Sequence, residues 1–272
     1  MTNGFADRIR AAIAERGPLC VGIDPHSPLL AEWGLTDDAA GVREFGLRVV
    51  DAASGRVAVV KPQVAFFERH GAAGYAALEE VLAAARAADL LVIADAKRGD
   101  VGSTVDAYGE AWLTPGGSLE ADAMTAVAYQ GFGSLDGVLA RAEAVDKGVF
   151  VLAATSNPES AAIQAQRDGS GETIAASIVR QASERSGTAG VVVGATISFS
   201  ELGLSAEQLQ NLIILAPGFG AQGAVLADGP ALFGSAIGGV LASVSRSILS
   251  AGPDGIAQAI AQANDEVATW AK

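Results

Sequence analysis

Eight short apolar runs recur along the chain, and stretches of helical length separate most of them. Each run is rich in β-branched and other apolar residues, and polar or turn-forming residues follow it. Strands that are apolar throughout are typical of parallel sheets buried on both faces. The runs lie at 19–24, 57–63, 90–97, 121–129, 148–156, 190–196, 212–218 and 239–247.

This alternation predicts an α/β protein, a single (β/α)8 TIM barrel. The first 17 residues have apolar side chains at helical spacing, which predicts an N-terminal helix before the first strand, and residues 253–272 predict the final helix. A doubly wound sheet is the alternative, but the first turn reads GIDPHSP and lacks the G-x-G-x-x-G pattern. No linker interrupts the chain, so we expect one domain over residues 1–272.

Charge and cysteine content restrict the partners and the compartment. The 272 residues include 31 acidic and 18 basic side chains, which give a formal net charge of −13. Nucleic acid and anionic membranes require clustered Lys and Arg, so we expect neither as a partner. Because Cys20 is the single cysteine and no Cys/His cluster predicts a metal site, we expect a cytoplasmic protein. We predict neither a secretion signal nor a transmembrane span.

Polar side chains end several of the runs, where the active site of a barrel of this kind lies. Asp95 and Lys97 are two residues apart, so their side chains share one side of an extended strand, and Lys61 can join them from the strand before. Opposite charges at this spacing hold the carboxylate ionised and the lysines protonated. A solvated loop with surface ion pairs is the alternative interpretation. The residues concerned are Asp24, Lys61, Asp95, Lys97, Ser156 and Arg246.

A glycine-rich segment, APGFGAQG at 216–223, precedes Arg246 at the end of the eighth run. Glycines let backbone N–H groups approach an anion, and a guanidinium binds phosphate through two hydrogen bonds. Loops after strands seven and eight commonly bind phosphate in this fold, so we predict a phosphate site here, with a plain mobile loop as the alternative. Ser156 has no G-x-S-x-G context, which disfavours a hydrolase nucleophile.

The segment DAKRGD, residues 95–100, followed by VGST, resembles the D-x-K-x-x-D motif of the orotidine 5′-monophosphate decarboxylase family. The segments VGIDP, VVKPQ, ATSNP, APGFGAQG and SVSRSIL are similar to other strand-end motifs of this family and follow the same order from residue 19 to 249. The details resemble the longer, mostly bacterial subfamily. D-x-K-x-x-D alone is shared with sugar-phosphate enzymes of the same barrel suprafamily.

This resemblance implies decarboxylation of orotidine 5′-monophosphate to uridine 5′-monophosphate and CO2, the last step of de novo UMP biosynthesis, without cofactor or metal. It implies a catalytic network of Lys61, Asp95, Lys97 and Asp100. It further implies that Asp24 and Lys61 contact ribose, Ser156 and Pro217 the base, and Gln222 and Arg246 the phosphate. Asp100 and Thr104 are expected to reach the site of the partner subunit in a homodimer.

Two other functions remain open on the residues alone. One is a metal-dependent sugar-phosphate lyase or decarboxylase of the same suprafamily, which chelator sensitivity would reveal. The other is a non-catalytic nucleotide-binding protein, which would bind UMP without converting the orotate nucleotide. The segments 157–172 and 224–239 contain too many breakers to predict long helices.

Overall fold

The computed structural model describes residues 4–271, and within them eight parallel strands close a barrel in sequence order. Each of the eight apolar runs coincides with one strand, and β3 and β6 extend one residue beyond their runs, which confirms the predicted TIM barrel. The strands are β1 (Leu19–Ile23), β2 (Val59–Pro62), β3 (Leu91–Arg98), β4 (Ala123–Ala126), β5 (Gly148–Ala154), β6 (Ala189–Val193), β7 (Ile214–Pro217) and β8 (Val240–Val244).

Helices alternate with the strands, and α1 precedes β1 as predicted. The final stretch forms α13 and a 3-10 turn at Ala268–Ala271, while residues 1–3 and 272 lie outside the described part. The helices are α1 (Phe5–Arg16), α2 (Ser27–Glu32), α3 (Ala39–Ala53), α4 (Val64–Glu68), α5 (Gly71–Ala87), α6 (Gly102–Leu113), α7 (Asp136–Ala144), α8 (Ala161–Gln164), α9 (Ile174–Ser183), α10 (Ala206–Leu209), α11 (Gly229–Phe233), α12 (Arg246–Leu249) and α13 (Gly252–Val267).

The strands are buried on both faces, which explains why their sequences show no polar alternation. Val21 and Val60 belong to the large cluster between the sheet and the helices. Cys20, Val59 and Ile93 belong to a second cluster inside the barrel. Because successive side chains of a strand point to opposite faces, neighbouring residues such as Cys20 and Val21 serve different layers of the core.

Helix α1 closes the amino-terminal end of the barrel. The Phe5 ring packs edge-on against Phe150 inside the barrel, with ring centroids 5.8 Å apart. Gly148 faces the same ring, and a Cβ at that position would overlap it. Arg8 Nη1 donates to Asp122 Oδ1 at 3.0 Å and so ties α1 to the chain just before β4. Since side chains fill this end, the carboxyl end of the barrel is left to hold a ligand.

The first part of the connection after β5, residues 157–172, and the segment 224–239 after β7 contain only short helices, in agreement with their breaker-rich sequences. A 3-10 turn at Pro158–Ser160 leads into α8, and 3-10 turns at Leu226–Asp228 and Gly234–Gly239 flank α11. These connections lie beside the carboxyl end of the barrel and shape its rim. Of the helices in residues 4–271, none combines the length and the apolar character that crossing a bilayer requires.

Candidate active site

The carboxyl ends of the strands surround a pocket of about 270 Å³. Seven of the predicted site residues line it together, while Ser156, Asp100 and Thr104 are not among the lining residues that the structure describes. The seven are Asp24, Lys61, Asp95, Lys97, Pro217, Gln222 and Arg246. The structure therefore brings together side chains from five different strands or strand ends, as expected for the mouth of a barrel.

Asp95 lies at the centre of a charged row on the pocket wall. Its Oδ2 accepts a hydrogen bond from Lys61 Nζ at 2.9 Å, and its Oδ1 accepts one from Lys97 Nζ at 2.6 Å. Lys61 on β2 and Asp95 on β3 are buried, whereas the Lys97 side chain is 44% exposed. Lys61 thus lies at the buried end of the row, and Lys97 lies at the exposed end toward the pocket.

Two neutral side chains also donate hydrogen bonds to Asp95, and neither was predicted to be a site residue. Gln63 Nε2 donates to Oδ2 at 2.9 Å, and Thr125 Oγ1 donates to Oδ1 at 3.0 Å. Gln63 lies two residues after Lys61, so two-residue alternation from β2 could have identified it. Nothing in the sequence around Thr125, which lies in an apolar run, gives a comparable signal.

Burial and charge act in opposite directions on this row. Burial alone would raise the pKa of Asp95, but the charges of Lys61 and Lys97 and their hydrogen bonds hold that pKa well below its usual range. Burial alone would lower the pKa of Lys61, but Asp95 and Asp24 raise it above its usual range. Asp95 therefore stays ionised and Lys61 stays protonated at neutral pH.

The backbone at Lys97 differs from the plain extended strand that the sequence suggested. Lys97 has φ +48°, and the pairing of β3 with β4 shifts register between Ala94 and Arg98. The expected proximity of the ammonium to Asp95 is present, but a bulge with left-handed backbone produces it. Simple two-residue alternation along β3 is therefore the wrong explanation for a contact that does form.

Cys20 lies inside the barrel, in electrostatic contact with the charged row. It is fully buried, and burial is the largest effect that raises the pKa of its thiol to about 12, while the charge of Lys61 opposes that rise. The thiol is therefore neutral at physiological pH. A neutral, inaccessible thiol behaves as a small apolar side chain and not as a nucleophile.

Asp24 follows β1 and lines the pocket, and one of its carboxylate oxygens is unsatisfied. Its Oδ1 is buried and has no hydrogen-bond partner among the described residues. On the same strand, Gly22 leaves the space that Ser245 Oγ occupies, and a Cβ at Gly22 would overlap that hydroxyl and lie 3.3 Å from Asp24 Oδ1. A buried carboxylate oxygen of this kind needs a donor, and a ligand hydroxyl can supply one.

The loop after β7 is built on glycines with left-handed backbone, including Gly218 at φ +119° and Gly220 at φ +70°. At Gly220 a Cβ would also overlap Ser247 Oγ, so the loop lies tightly against the start of α12. Gln222 and Arg246 face the pocket from the loop and from α12. Among the described residues, Arg246 has no carboxylate within ion-pair distance. The arrangement can bind an anion.

The end of β5 presents Thr155 to the pocket. Gln164 of α8 fixes this threonine through two hydrogen bonds. Its Oε1 accepts from the Thr155 N–H at 2.9 Å, and its Nε2 donates to Thr155 Oγ1 at 3.0 Å. Ser156, the residue predicted to contact the base, comes next and lies beside Gly194. Its predicted role stays a prediction, and Thr155 is a further polar side chain that the sequence did not reveal.

Asp100 and Thr104 lie outside the pocket, on the rim beyond β3. Asp100 Oδ1 accepts a hydrogen bond from the N–H of Val101 at 2.8 Å, and Thr104 is exposed in the first turn of α6. Neither side chain is among the described lining residues of the pocket. Their expected contribution to the site of a partner subunit stays a prediction.

Comparison with known proteins identifies the family. The model of the orotidine 5′-phosphate decarboxylase / HUMPS family matches residues 17–261. An orotidine 5′-phosphate decarboxylase of Salinispora arenicola is 50% identical over 258 residues, which cover 93% of this chain and 92% of the relative.

Solved structures agree with this match. A crystal structure from Streptomyces avermitilis, of a protein provisionally named orotidine 5′-phosphate decarboxylase, has a TM-score of 0.94 and 44% identity and covers 98% of this chain and 96% of that chain. The structure of Leishmania donovani OMP decarboxylase has a TM-score of 0.79 and 31% identity and covers 98% of each chain. The chain therefore belongs to the orotidine 5′-phosphate decarboxylase / HUMPS family.

Proposed function

We propose that this protein converts orotidine 5′-monophosphate to uridine 5′-monophosphate and CO2, the last step of de novo pyrimidine synthesis, without a cofactor. One observation carries the proposal: in a chain of this family, Asp95 lies between the ammonium groups of Lys61 and Lys97 at the mouth of the barrel. The exposed end of that row, Lys97, faces the pocket where the pyrimidine would bind.

The chemical difficulty of this reaction is the charge left at C6. When CO2 departs, the electron pair stays in the plane of the ring, where the π system cannot delocalise it. A fixed cation at that position stabilises the developing charge more than it stabilises the substrate, and this difference accelerates the reaction. We assign this task to Lys97, whose ammonium also supplies the proton that replaces CO2 at C6.

Asp95 and Lys61 keep the Lys97 ammonium in place. The Asp95 carboxylate fixes the Lys97 ammonium through a 2.6 Å hydrogen bond, and Lys61 balances the charge from the buried side. A group that is oriented before the substrate arrives needs no reorganisation in the transition state. In the substrate complex, Asp95 would also lie near the leaving carboxylate and disfavour it through repulsion of like charges.

We assign the substrate phosphate to Gln222 and Arg246. The support is their position on the pocket wall, together with the absence of a carboxylate near Arg246 among the described residues. Binding energy from the phosphate can fasten the glycine-rich loop over the substrate and so assist the chemistry at the distant base. Removal of the phosphate should therefore lower kcat as well as affinity.

We assign the nucleoside to the remaining polar groups. Asp24 and Lys61 would hold the ribose hydroxyls, since Asp24 Oδ1 lacks a hydrogen-bond donor in the described structure. Pro217 lines the pocket and would lie against one face of the base. Ser156 would contact the edge of the pyrimidine, with Thr155 beside it as a second candidate.

We propose a homodimer in which Asp100 and Thr104 complete the site of the partner. Two exposed apolar side chains support an interface near this rim: Val101 is 55% exposed and Tyr129, after the neighbouring strand β4, is 77% exposed. Apolar side chains this accessible commonly mark an association surface.

Mixing two inactive variants tests the shared site. Lys97→Ala and Asp100→Ala are each expected to be inactive. After subunit exchange, however, each mixed dimer has one site with both groups intact, so about a quarter of wild-type activity should return in an equal mixture. Activity that stays absent after verified exchange would contradict the shared site.

We place the protein in the cytoplasm. The support is that its one cysteine, Cys20, is free and fully buried, so the fold uses no disulfide of its own. Cytoplasmic proteins rarely depend on disulfides, whereas small secreted domains often do.

The test of the proposed reaction is the loss of orotidine 5′-monophosphate, monitored by absorbance with and without a chelator. Conversion that is insensitive to the chelator is expected. Loss of activity with the chelator would favour the metal-dependent lyase, and UMP binding without conversion would favour a silent binder. Against the metal-dependent alternative, both oxygens of Asp95 already accept hydrogen bonds from protein donors.

A further inference from the structure

The backbone of Lys97 is strained and needs support. Among the described residues only Asp89, Lys97 and Asp146 combine a side chain with positive φ. The two aspartates each lie two residues beyond a helix, where left-handed backbone is common for this residue type. Lys97 instead lies within β3. A lysine in this conformation persists only where its surroundings fix it.

The bulge at Lys97 also removes it from the regular ladder between β3 and β4. Ala94 pairs with Met124 and Arg98 pairs with Ala126, so four steps along β3 lie opposite two steps along β4. The N–H of Lys97 consequently needs another acceptor. A buried N–H without one would be costly, which would favour a return of the backbone to extended geometry.

Thr125 on β4 supplies that acceptor. Its Oγ1 accepts from the Lys97 N–H at 2.8 Å and donates to Asp95 Oδ1 at 3.0 Å. A hydroxyl has one proton and two lone pairs, so both bonds form at once. Thr125 is 1% exposed and is not among the described lining residues of the pocket, so it does not reach the substrate itself.

We infer that Thr125 is a positioning residue, which holds the Lys97 backbone in its left-handed turn and thereby keeps the ammonium aligned with Asp95. The Thr125 hydroxyl accepts a hydrogen bond from the main chain of Lys97 and donates one to Asp95, the carboxylate that orients the Lys97 ammonium. This inference rests on the proposed function, since it concerns the alignment of the group assigned to protonate C6. It predicts that loss of the hydroxyl alone lowers kcat and leaves the affinity for UMP unchanged.

The decisive variants differ in the hydroxyl and keep most of the volume. Thr125→Val removes the hydroxyl and replaces it with a methyl group, whereas Thr125→Ser keeps the hydroxyl. Thr125→Val should lower kcat by about 100-fold, the scale of a misplaced reactive group, with the affinity for UMP unchanged. Thr125→Ser should stay close to wild type in both measurements.

A matched control separates positioning from stability. Thr173 is also 1% exposed, and its hydroxyl accepts from the Ala176 N–H and donates to the Leu202 carbonyl, so it too loses two buried hydrogen bonds in the valine variant. It caps α9 and is not among the described lining residues. Thr173→Val should reduce the melting temperature and leave kcat at the wild-type level. An equal loss of kcat in Thr173→Val would contradict the positioning role.

Other outcomes would also overturn the inference. Wild-type kcat in Thr125→Val, or an equal loss in Thr125→Ser, would show that the hydroxyl does not position Lys97. If the valine variant does not fold, Thr125→Ala is compared with Thr125→Ser instead, since these two differ only by the hydroxyl.

A crystal structure of the hydroxyl-free variant separates this inference from the proposed reaction. We expect Lys97 to adopt negative φ and its Nζ to leave Asp95. An unchanged Lys97 would contradict the positioning role even if the wild type proved to catalyse another reaction. Inactive wild-type protein, by contrast, would contradict only the proposed function.

Discussion

Lys97 Nζ lies 2.6 Å from Asp95 Oδ1, and the two side chains differ sharply in exposure, at 44% and 9%. The carboxylate is therefore held inside the barrel wall while the ammonium reaches solvent. On its other side, Asp95 accepts from the buried Lys61. Asp95 therefore has a buried partner, Lys61, which is structural, and an exposed partner, Lys97, which can contact a ligand.

The first prediction concerns Asp95→Asn. Removal of this charge leaves Lys61 buried without its counter-ion, which should destabilise the protein by about 3–5 kcal/mol at pH 7. The depressed pKa of Asp95 means that its contribution is present above the unfolded-state pKa near 4 and is lost as the pH falls below that value. Urea unfolding of both proteins should therefore show a stability difference that shrinks below about pH 4.

Glu120→Gln serves as the control for this variant. Glu120 accepts from the buried Lys147 at 2.8 Å and is not among the described lining residues of the pocket. Its loss should reduce stability and leave turnover intact, whereas Asp95→Asn should reduce both. A stability difference for Asp95→Asn that stays constant down to pH 2 would be inconsistent with the depressed pKa.

The second prediction is a pH profile without a titration of Asp95 or Lys61. The pKa of Asp95 is lowered and that of Lys61 is raised, so neither group changes charge between about pH 5 and 9. Measurement of kcat across this interval, after checking that the protein stays folded, tests it. A kinetic titration that disappears in Asp95→Asn or in a Lys61 variant would contradict the assignment.

The third prediction separates phosphate recognition from nucleoside recognition. Arg246→Ala should weaken UMP much more than uridine, because only UMP carries the phosphate that the guanidinium would bind. Calorimetric titration with both ligands measures the difference, and Arg10→Ala, a change on α1 outside the pocket, provides a control. Equal weakening of the two ligands would show that Arg246 does not bind phosphate.

The fourth prediction concerns the thiol of Cys20. Full burial and a pKa of about 12 should make it unreactive toward a disulfide reagent in the native protein at pH 8. One thiol per chain should react after unfolding in guanidinium. Rapid modification of the folded protein would mean that the barrel interior opens readily near β1.

Much of the fold can be predicted from the sequence, because burial of both faces of a parallel sheet requires strands that are apolar throughout. Every strand overlaps an apolar run, and polar residues at the ends of those runs identified Asp24, Lys61 and Asp95 as neighbours. Chain order and strand direction were sufficient for that step, since all carboxyl ends of parallel strands meet at one end of the barrel.

The details that escaped prediction depend on contacts between strands. The left-handed backbone at Lys97 accompanies the register shift between β3 and β4, and no local sequence pattern indicates that shift. Thr125 acts on Asp95 from the adjacent strand β4, so its role appears only when the register is known. Thr155 faces the pocket although Ser156 was predicted to contact the base, because the chain turns where β5 ends.

The role of Lys97 is tested by turnover of orotidine 5′-monophosphate by Lys97→Ala, compared with its affinity for UMP. We expect decarboxylation to be abolished while UMP binding stays measurable, because Lys97 stabilises charge and donates a proton at C6 whereas other residues bind the nucleotide. Turnover near the wild-type level would contradict the role of Lys97 and, with it, the proposed mechanism.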